Sequence, residues 1–191
     1  MYNKIVQCCL AAGLMMASGF ALADDSYVQQ AQAAIAKATA PVTVWDGPTQ
    51  GPALQPNKKI IFIASDMKNG GVLGVKEGLE EAAKIAGWQL DVLDGAGSVK
   101  DQLAALNQAI ARKPDGIVIG GWNPNVAKIP LKKAVKEGIV LTAWHAVPAP
   151  GPVPAYNIFY NVTSDSNEVS RMAALYAVAK SNGTAKVLIF T

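Results

Sequence analysis

From Lys59 to Tyr160, short apolar runs of strand length alternate with longer amphipathic stretches, and only a few residues separate one from the next. Lys59–Ser65 (KIIFIAS) is apolar without interruption, as a strand covered on both faces must be. Val72–Ala86 instead places Val72, Val75, Leu79, Ala82 and Ala86 at helical spacing, with Lys and Glu opposite. The pattern then repeats. Strands are predicted at 88–93, 117–120, 139–143 and 156–160, and helices at 98–112, 126–137 and 164–181. A Pro-rich loop occupies 147–154, and Lys186–Thr191 reads as one more buried-type strand. Strands alternating with helices over short connections give an α/β fold, a doubly wound parallel sheet with helices on both faces.

The residues ahead of this alternation read differently. Lys4 precedes an apolar run from Leu10 to Leu22 that ends in Ala21-Leu22-Ala23. That is the layout of a secretory signal peptide over residues 1–23, cut before Asp24, and it predicts export to the periplasm. The run is too short for a membrane anchor, contains Gly13, Ser18 and Gly19, and is followed by Asp24-Asp25. Both cysteines, Cys8 and Cys9, leave with the signal, so the mature chain has no disulfide and no thiolate chemistry. About 170 residues remain, enough for one good hydrophobic core. Residues 24–57 follow as a helix ended by Pro41 and a Gly/Pro-rich arm. The arm is either a mobile leader or packed on the body through Val42, Val44 and Trp45.

Seventeen basic and fourteen acidic residues give a net charge of +3. They are scattered over predicted helices and form no stripe, so nucleic acid is not an expected partner. The sequence has no G-x-S-x-G, no H-E-x-x-H and no second histidine to build a metal site; no catalytic residue, metal or cofactor is implied. Residues 69–74, Asn-Gly-Gly-Val-Leu-Gly, approximate a dinucleotide-binding fingerprint, with Asp94 where a ribose-binding acid would fall. Asn69 replaces its first glycine and the segment begins four residues beyond the strand, which leaves an exported dinucleotide-binding enzyme as the weaker alternative.

Ligands of open α/β sheets lie outside the carboxyl ends of the strands. Those ends carry Ser65, Asp66 and Asn69, then Asp94, then Trp122 and Asn123, then Trp144 and His145. Gly71 adds bare backbone at a helix start, where N–H groups can face a ligand. Aromatic faces beside uncharged polar groups suit a hydroxylated small molecule, whose hydroxyls need partners and whose C–H faces pack on indole. For Trp122 and Trp144 ligand contact is the expectation ahead of core cover, while Asp94 reads equally as a turn former.

The segments IIFIASDMKNGGVLGVKEGLEEAAKIAGWQLDVLDG, KPDGIVIGG and GIVLTAWH, in that order, resemble the type I periplasmic sugar-binding proteins of ABC importers, the group of ribose-, xylose- and galactose-binding proteins. The resemblance covers residues 58–191. It implies two α/β lobes joined by a hinge and closing on solute, with residues 58–160 as the first lobe. Asn161-Val162-Thr163 would be the first crossover, and residues up to 191 an incomplete second lobe. It further implies an ABC permease of the inner membrane as partner and a monomer when full length; a sensing module serving a membrane receptor is the alternative. Ser65 and Asn69 fall where ribose-binding relatives place polar contacts. Those relatives carry a Phe pair where this chain has Gly71-Val72, and an Asp-Arg pair where it has Trp144-His145, so the aromatic stack and the charged clasp are both altered.

Overall fold

The computed structural model describes residues 24–45 and 47–189; the expected signal peptide, Phe190 and Thr191 lie outside them. The chain forms two compact units, residues 40–173 and a smaller one built from residues up to Thr39 with those from Ala174 on. The larger unit holds the sheet. In chain order its elements are β1 (Lys59–Ala64), α2 (Gly70–Ala86), β2 (Gln89–Asp94), α3 (Val99–Ala111), β3 (Gly116–Gly120), α4 (Lys128–Lys136), β4 (Val140–Trp144), β5 (Gly151–Val153) and β6 (Ile158–Val162). Helix α1 (Asp25–Ala38) belongs to the smaller unit, and α5 (Ser166–Ser181) runs from one unit into the other. Within the smaller unit Gln32 Nε2 donates to Asn182 Oδ1 at 3.2 Å.

Local chemistry sets the element boundaries. Asn69 caps α2 by accepting from the Gly71 and Val72 N–H groups, and Gly87 ends it in the left-handed region at φ +67°. Ser98 caps α3 by accepting from the Asp101 N–H, while its own hydroxyl donates to the Asp101 carboxylate. The helix expected at 126–137 starts as a 3-10 turn, Pro124–Ala127, and becomes α-helical at Lys128. Pro130 has no N–H to return to Val126, so it can sit only in the first turn.

The sheet order is β2-β1-β3-β4-β6-β5, parallel throughout except for β5, which pairs antiparallel with β6. One face carries Ile61 and Ile63, Ile117 and Ile119, and Leu141, packed under Leu106 and Ile110 of α3 and Leu131 of α4. The other carries Phe62 and Ala64, packed under Val72, Val75 and Leu79 of α2. Val118 of β3 and Trp144 of β4 pack against the same cluster. Over β4 and β6, Val140, Tyr160 and Val162 remain exposed. At the amino ends of the strands, an apolar groove of about 540 Å³ runs between α2 and the sheet, lined by Ile60, Leu79, Trp88, Val118 and Val140. It lies at the opposite end of the sheet from the predicted rim.

The structure corrects several expectations. Residues 186–189 are not a strand, and Val187, Leu188 and Ile189 are exposed; an apolar run becomes a strand only by pairing, and these residues have no ladder partner among the described residues. The strand expected at 156–160 is shifted to Ile158–Val162, because Pro154 starts a 3-10 turn through Tyr156 and Asn157 leaves it at φ +57°. Asn161 and Val162 are therefore the last residues of β6, the strand from which the chain leaves the sheet. The Pro-rich loop contains β5. The arm touches the body through the Asn57 N–H on Gly87 O and the Trp88 Nε1–H on Gln55 O, while Val42, Val44 and Trp45 stay exposed.

Asp115 fastens the start of β1 to that of β3, accepting from the Lys59 N–H at 2.8 Å and pairing with Lys58 Nζ at 3.2 Å. The Lys59 N–H, then the Lys58 ammonium, hold its carboxyl below the usual range. A lowered folded-state pKa gives stability that is present above the unfolded-state value and is lost as pH falls through the folded one. The gap in urea midpoint between wild type and Asp115→Ala should therefore hold from neutrality down to about pH 4. It should close at lower pH, as read from unfolding curves over a pH series.

Candidate functional site

The strand ladders continue past the strands at their carboxyl ends. The Ser65 N–H donates to Gly120 O, the Gly121 N–H to Trp144 O and the His145 N–H to Val162 O. Ser65, Gly121 and Trp144 are thereby held side by side. A Cβ built on Gly121 would lie 3.1 Å from Ser65 Oγ and 3.2 Å from Trp144 Cζ3, and one on Gly71 would lie 3.9 Å from Trp144 Cη2. The indole thus rests over two positions without side chains, with the Ser65 hydroxyl beside it. Gly121 also needs its left-handed backbone, at φ +77°. Trp144 packs one side on the Phe62, Ala64 and Val72 cluster and is only partly buried. The His145 ring stands edge-on to it, centroids 4.6 Å apart and planes at 61°.

The polar rim residues prove to be loop formers as well. Asp94 Oδ1 accepts from the Met67 N–H at 3.1 Å and the Ala96 N–H at 2.8 Å, which ties the loop after β1 to the loop after β2. Asp66 Oδ1 accepts from the Lys68 N–H. These bonds leave the second oxygen of each carboxylate for an incoming hydroxyl. Asn69 spends its carbonyl on capping α2 and keeps its amide NH₂. The Gly71 N–H, expected to face a ligand, is taken by that same Asn69 oxygen; what Gly71 contributes is the space under Trp144. A pyrophosphate at this helix start would have to displace Asn69, and the dinucleotide reading loses its anion site. Asn123 is exposed and caps the 3-10 turn through the Asn125 N–H.

Trp122 does not reach the rim. It is 4% exposed and its Nε1–H donates to Ile63 O at 3.0 Å, so it belongs to the core under α3 and α4. Trp144 is the last residue of β4, in register with Gly120, whereas Trp122 lies two residues beyond β3, past the left-handed Gly121. Sequence reasoning missed two contributors. Gly121 was not among the expected contacts, and Asn161, wholly buried at the end of β6, was expected only as part of the crossover. A polar residue three positions after Ile158, off the strand period of two, carried no signal of burial.

The rim carries an aromatic plate, a hydroxyl, two carboxylate oxygens, an amide NH₂ and an imidazole. Residues 60–191 match the family described as periplasmic binding protein domain. No curated protein matches the sequence. Among solved structures, the chain is similar to a sugar ABC transporter protein from Yersinia enterocolitica, with 21% identity, TM-score 0.59, and 72% of this chain and 42% of that one covered. It is similar to GanP, a glucose-galactose binding protein from Geobacillus stearothermophilus, with 18% identity, TM-score 0.59, and 69% and 46% covered. It is also similar to an ABC transporter solute binding protein from Agrobacterium vitis with bound allitol, with 25% identity, TM-score 0.55, and 67% and 41% covered. The chain spans less than half the length of each of these three relatives. The matched segment contains every rim residue from Ser65 to His145, and the chain belongs to the periplasmic binding protein domain family.

Proposed function

We propose that this chain carries one wall of the solute cleft of an exported binding protein, which captures a neutral sugar or polyol for an ABC permease of the inner membrane. The observation that carries the reading is the Trp144 indole laid over Gly71 and Gly121 beside Ser65 Oγ, at the carboxyl ends of a parallel sheet. An indole face packs the C–H side of a carbohydrate, and the neighbouring oxygens and NH₂ group accept and donate to its hydroxyls. Asp66 and Asp94 line the same rim, which disfavours an anionic solute. The relative solved with allitol, an open-chain polyol, supports this solute class. Ser65, Asp66, Asn69, Asp94, Trp144 and His145 are the proposed contacts, Gly71 and Gly121 the floor, and Asn123 an outer contact; Trp122 is not among them.

The test is calorimetric titration of the mature full-length protein with allitol, common aldoses, ketoses and amino acids. Saturable binding to at least one sugar or polyol is expected, and binding confined to amino acids would overturn the reading. Export is tested on the same material. Protein released by osmotic shock should begin at Asp24, whose carboxylate then caps α1 through Ser26. An intact leader on cytoplasmic protein would refute the localisation.

A further inference from the structure

Asn161 has every bond its amide can direct inward fulfilled by one loop. Its Oδ1 accepts from the Ala146 N–H at 3.1 Å, and its Nδ2 donates to Val147 O at 3.0 Å and to Ala149 O at 2.8 Å. The side chain is completely buried, on the face of β6 that continues the row Ile63, Ile119 and Ala143. The loop it grips begins at His145, directly after Trp144.

His145 is a non-glycine residue in the left-handed region, at φ +48°. That conformation turns two consecutive N–H groups, those of His145 and Ala146, onto the same strand. The first reaches Val162 O at 3.0 Å, and the second reaches the Asn161 side chain. A left-handed backbone at a residue with a Cβ is costly and persists only where its surroundings over-determine it. Here the surroundings are adjacent residues of β6. The same turn places the imidazole edge-on to the Trp144 indole.

We infer that Asn161 is the positioning residue of the rim: it holds His145 in the left-handed turn and so fixes the Trp144–His145 aromatic pair. This rests on the proposed solute site for its functional meaning, but its structural content stands alone. Asn161 touches no solute. It acts through the loop 146–149, and it sits at the end of the strand from which the chain leaves the sheet toward α5. Rim geometry is thereby set by the exit strand and not by the loop itself.

The experiment compares wild type, Asn161→Leu and Leu141→Ala in the full mature protein. Leucine has nearly the shape of asparagine and leaves the Ala146 N–H and two carbonyls without a partner. Leu141→Ala destabilises the same sheet from the buried face of β4 and leaves the three Asn161 bonds to the loop in place. The first readout needs no ligand. His145 is the only histidine in the sequence, and its ring protons feel the Trp144 ring current. In Asn161→Leu those signals should move toward the values of a Trp144→Leu reference, and amide exchange at Ala146 should speed up by at least about tenfold relative to Ile119. Leu141→Ala should change neither. Unchanged His145 signals and Ala146 protection in Asn161→Leu would overturn the inference.

If Asn161→Leu does not fold, His145→Gly is added to it. Glycine accepts the left-handed turn freely, so recovery of a cooperative unfolding transition supports the inference and continued failure to fold counts against it. The second readout is titration with allitol and with any sugar that binds wild type. Affinity should fall at least about tenfold in Asn161→Leu and stay unchanged in Leu141→Ala. Should wild type bind no sugar or polyol, the proposed function fails, while the histidine and exchange measurements still decide the role of Asn161.

Discussion

Trp144→Ala should weaken solute binding by about 1–3 kcal/mol, or roughly 5- to 150-fold, the range for losing a central aromatic anchor. The indole is the largest apolar surface on the rim, and its inner side already rests on Phe62, Ala64 and Val72. Truncation therefore removes the plate and leaves a hollow over Gly71 and Gly121 that water fills in the empty protein. Trp144→Phe should recover part of the affinity, since a smaller ring keeps one stacking face. Calorimetric affinities of the three proteins, with unfolding midpoints measured beside them, check the expectation. A Trp144→Ala protein that unfolds at ordinary temperature would assign the residue to the core. One that binds normally would move the cleft away from β4.

Phe62→Ala should cost about 3–5 kcal/mol of folding stability, the largest effect expected of any single substitution in this sheet. Phe62 is fully buried in the middle of β1, under α2. Its ring also fills the space that a side chain on the neighbouring strand would need, since a Cβ on Gly120 would collide with the ring. The residue pair is complementary across the ladder, and removing the ring leaves a cavity that Gly120 cannot fill. The small cluster on this face has few members to relax into the gap, because α2 is its only helix. Denaturant unfolding of wild type and variant measures the loss. A cost below about 1 kcal/mol would mean that the face collapses around the deletion and is softer than its burial indicates.

The sheet was legible because its central strands, β1 and β3, are buried on both faces. A run such as KIIFIAS has few other fates beside an amphipathic helix, and the resulting fold is the one observed. Legibility ended where pairing, not composition, decides the state. Val187–Ile189 has the same apolar character as β1 but lies exposed, and Gly151–Val153 looks like a Pro-rich loop but pairs with β6. The rim was legible in position and less so in role. Reading strand ends placed Ser65 and Trp144 side by side, as the structure does. It could not separate Trp144 from Trp122, because both were read at strand ends; Trp144 closes β4 in register with Gly120, whereas Trp122 lies past the left-handed Gly121 with its indole in the core. Nor could it find Asn161, whose importance lies in three bonds to a loop more than ten residues upstream.

The short antiparallel strand β5 also limits how far the sheet can extend. It lies along the outer side of β6, is three residues long, and has Pro152 at its centre, which offers no N–H to a newcomer. At the far edge β2 alternates exposed polar residues, with Asp91 held by Arg112. Both margins thus carry features that discourage a further strand. Recruiting the exposed apolar run after α5, or a strand from another molecule, would require undoing one of these margins first. The segment 145–157 that separates β4 from β6 in place of a helix acts as a selvedge, finishing the weave where a crossover would have extended it.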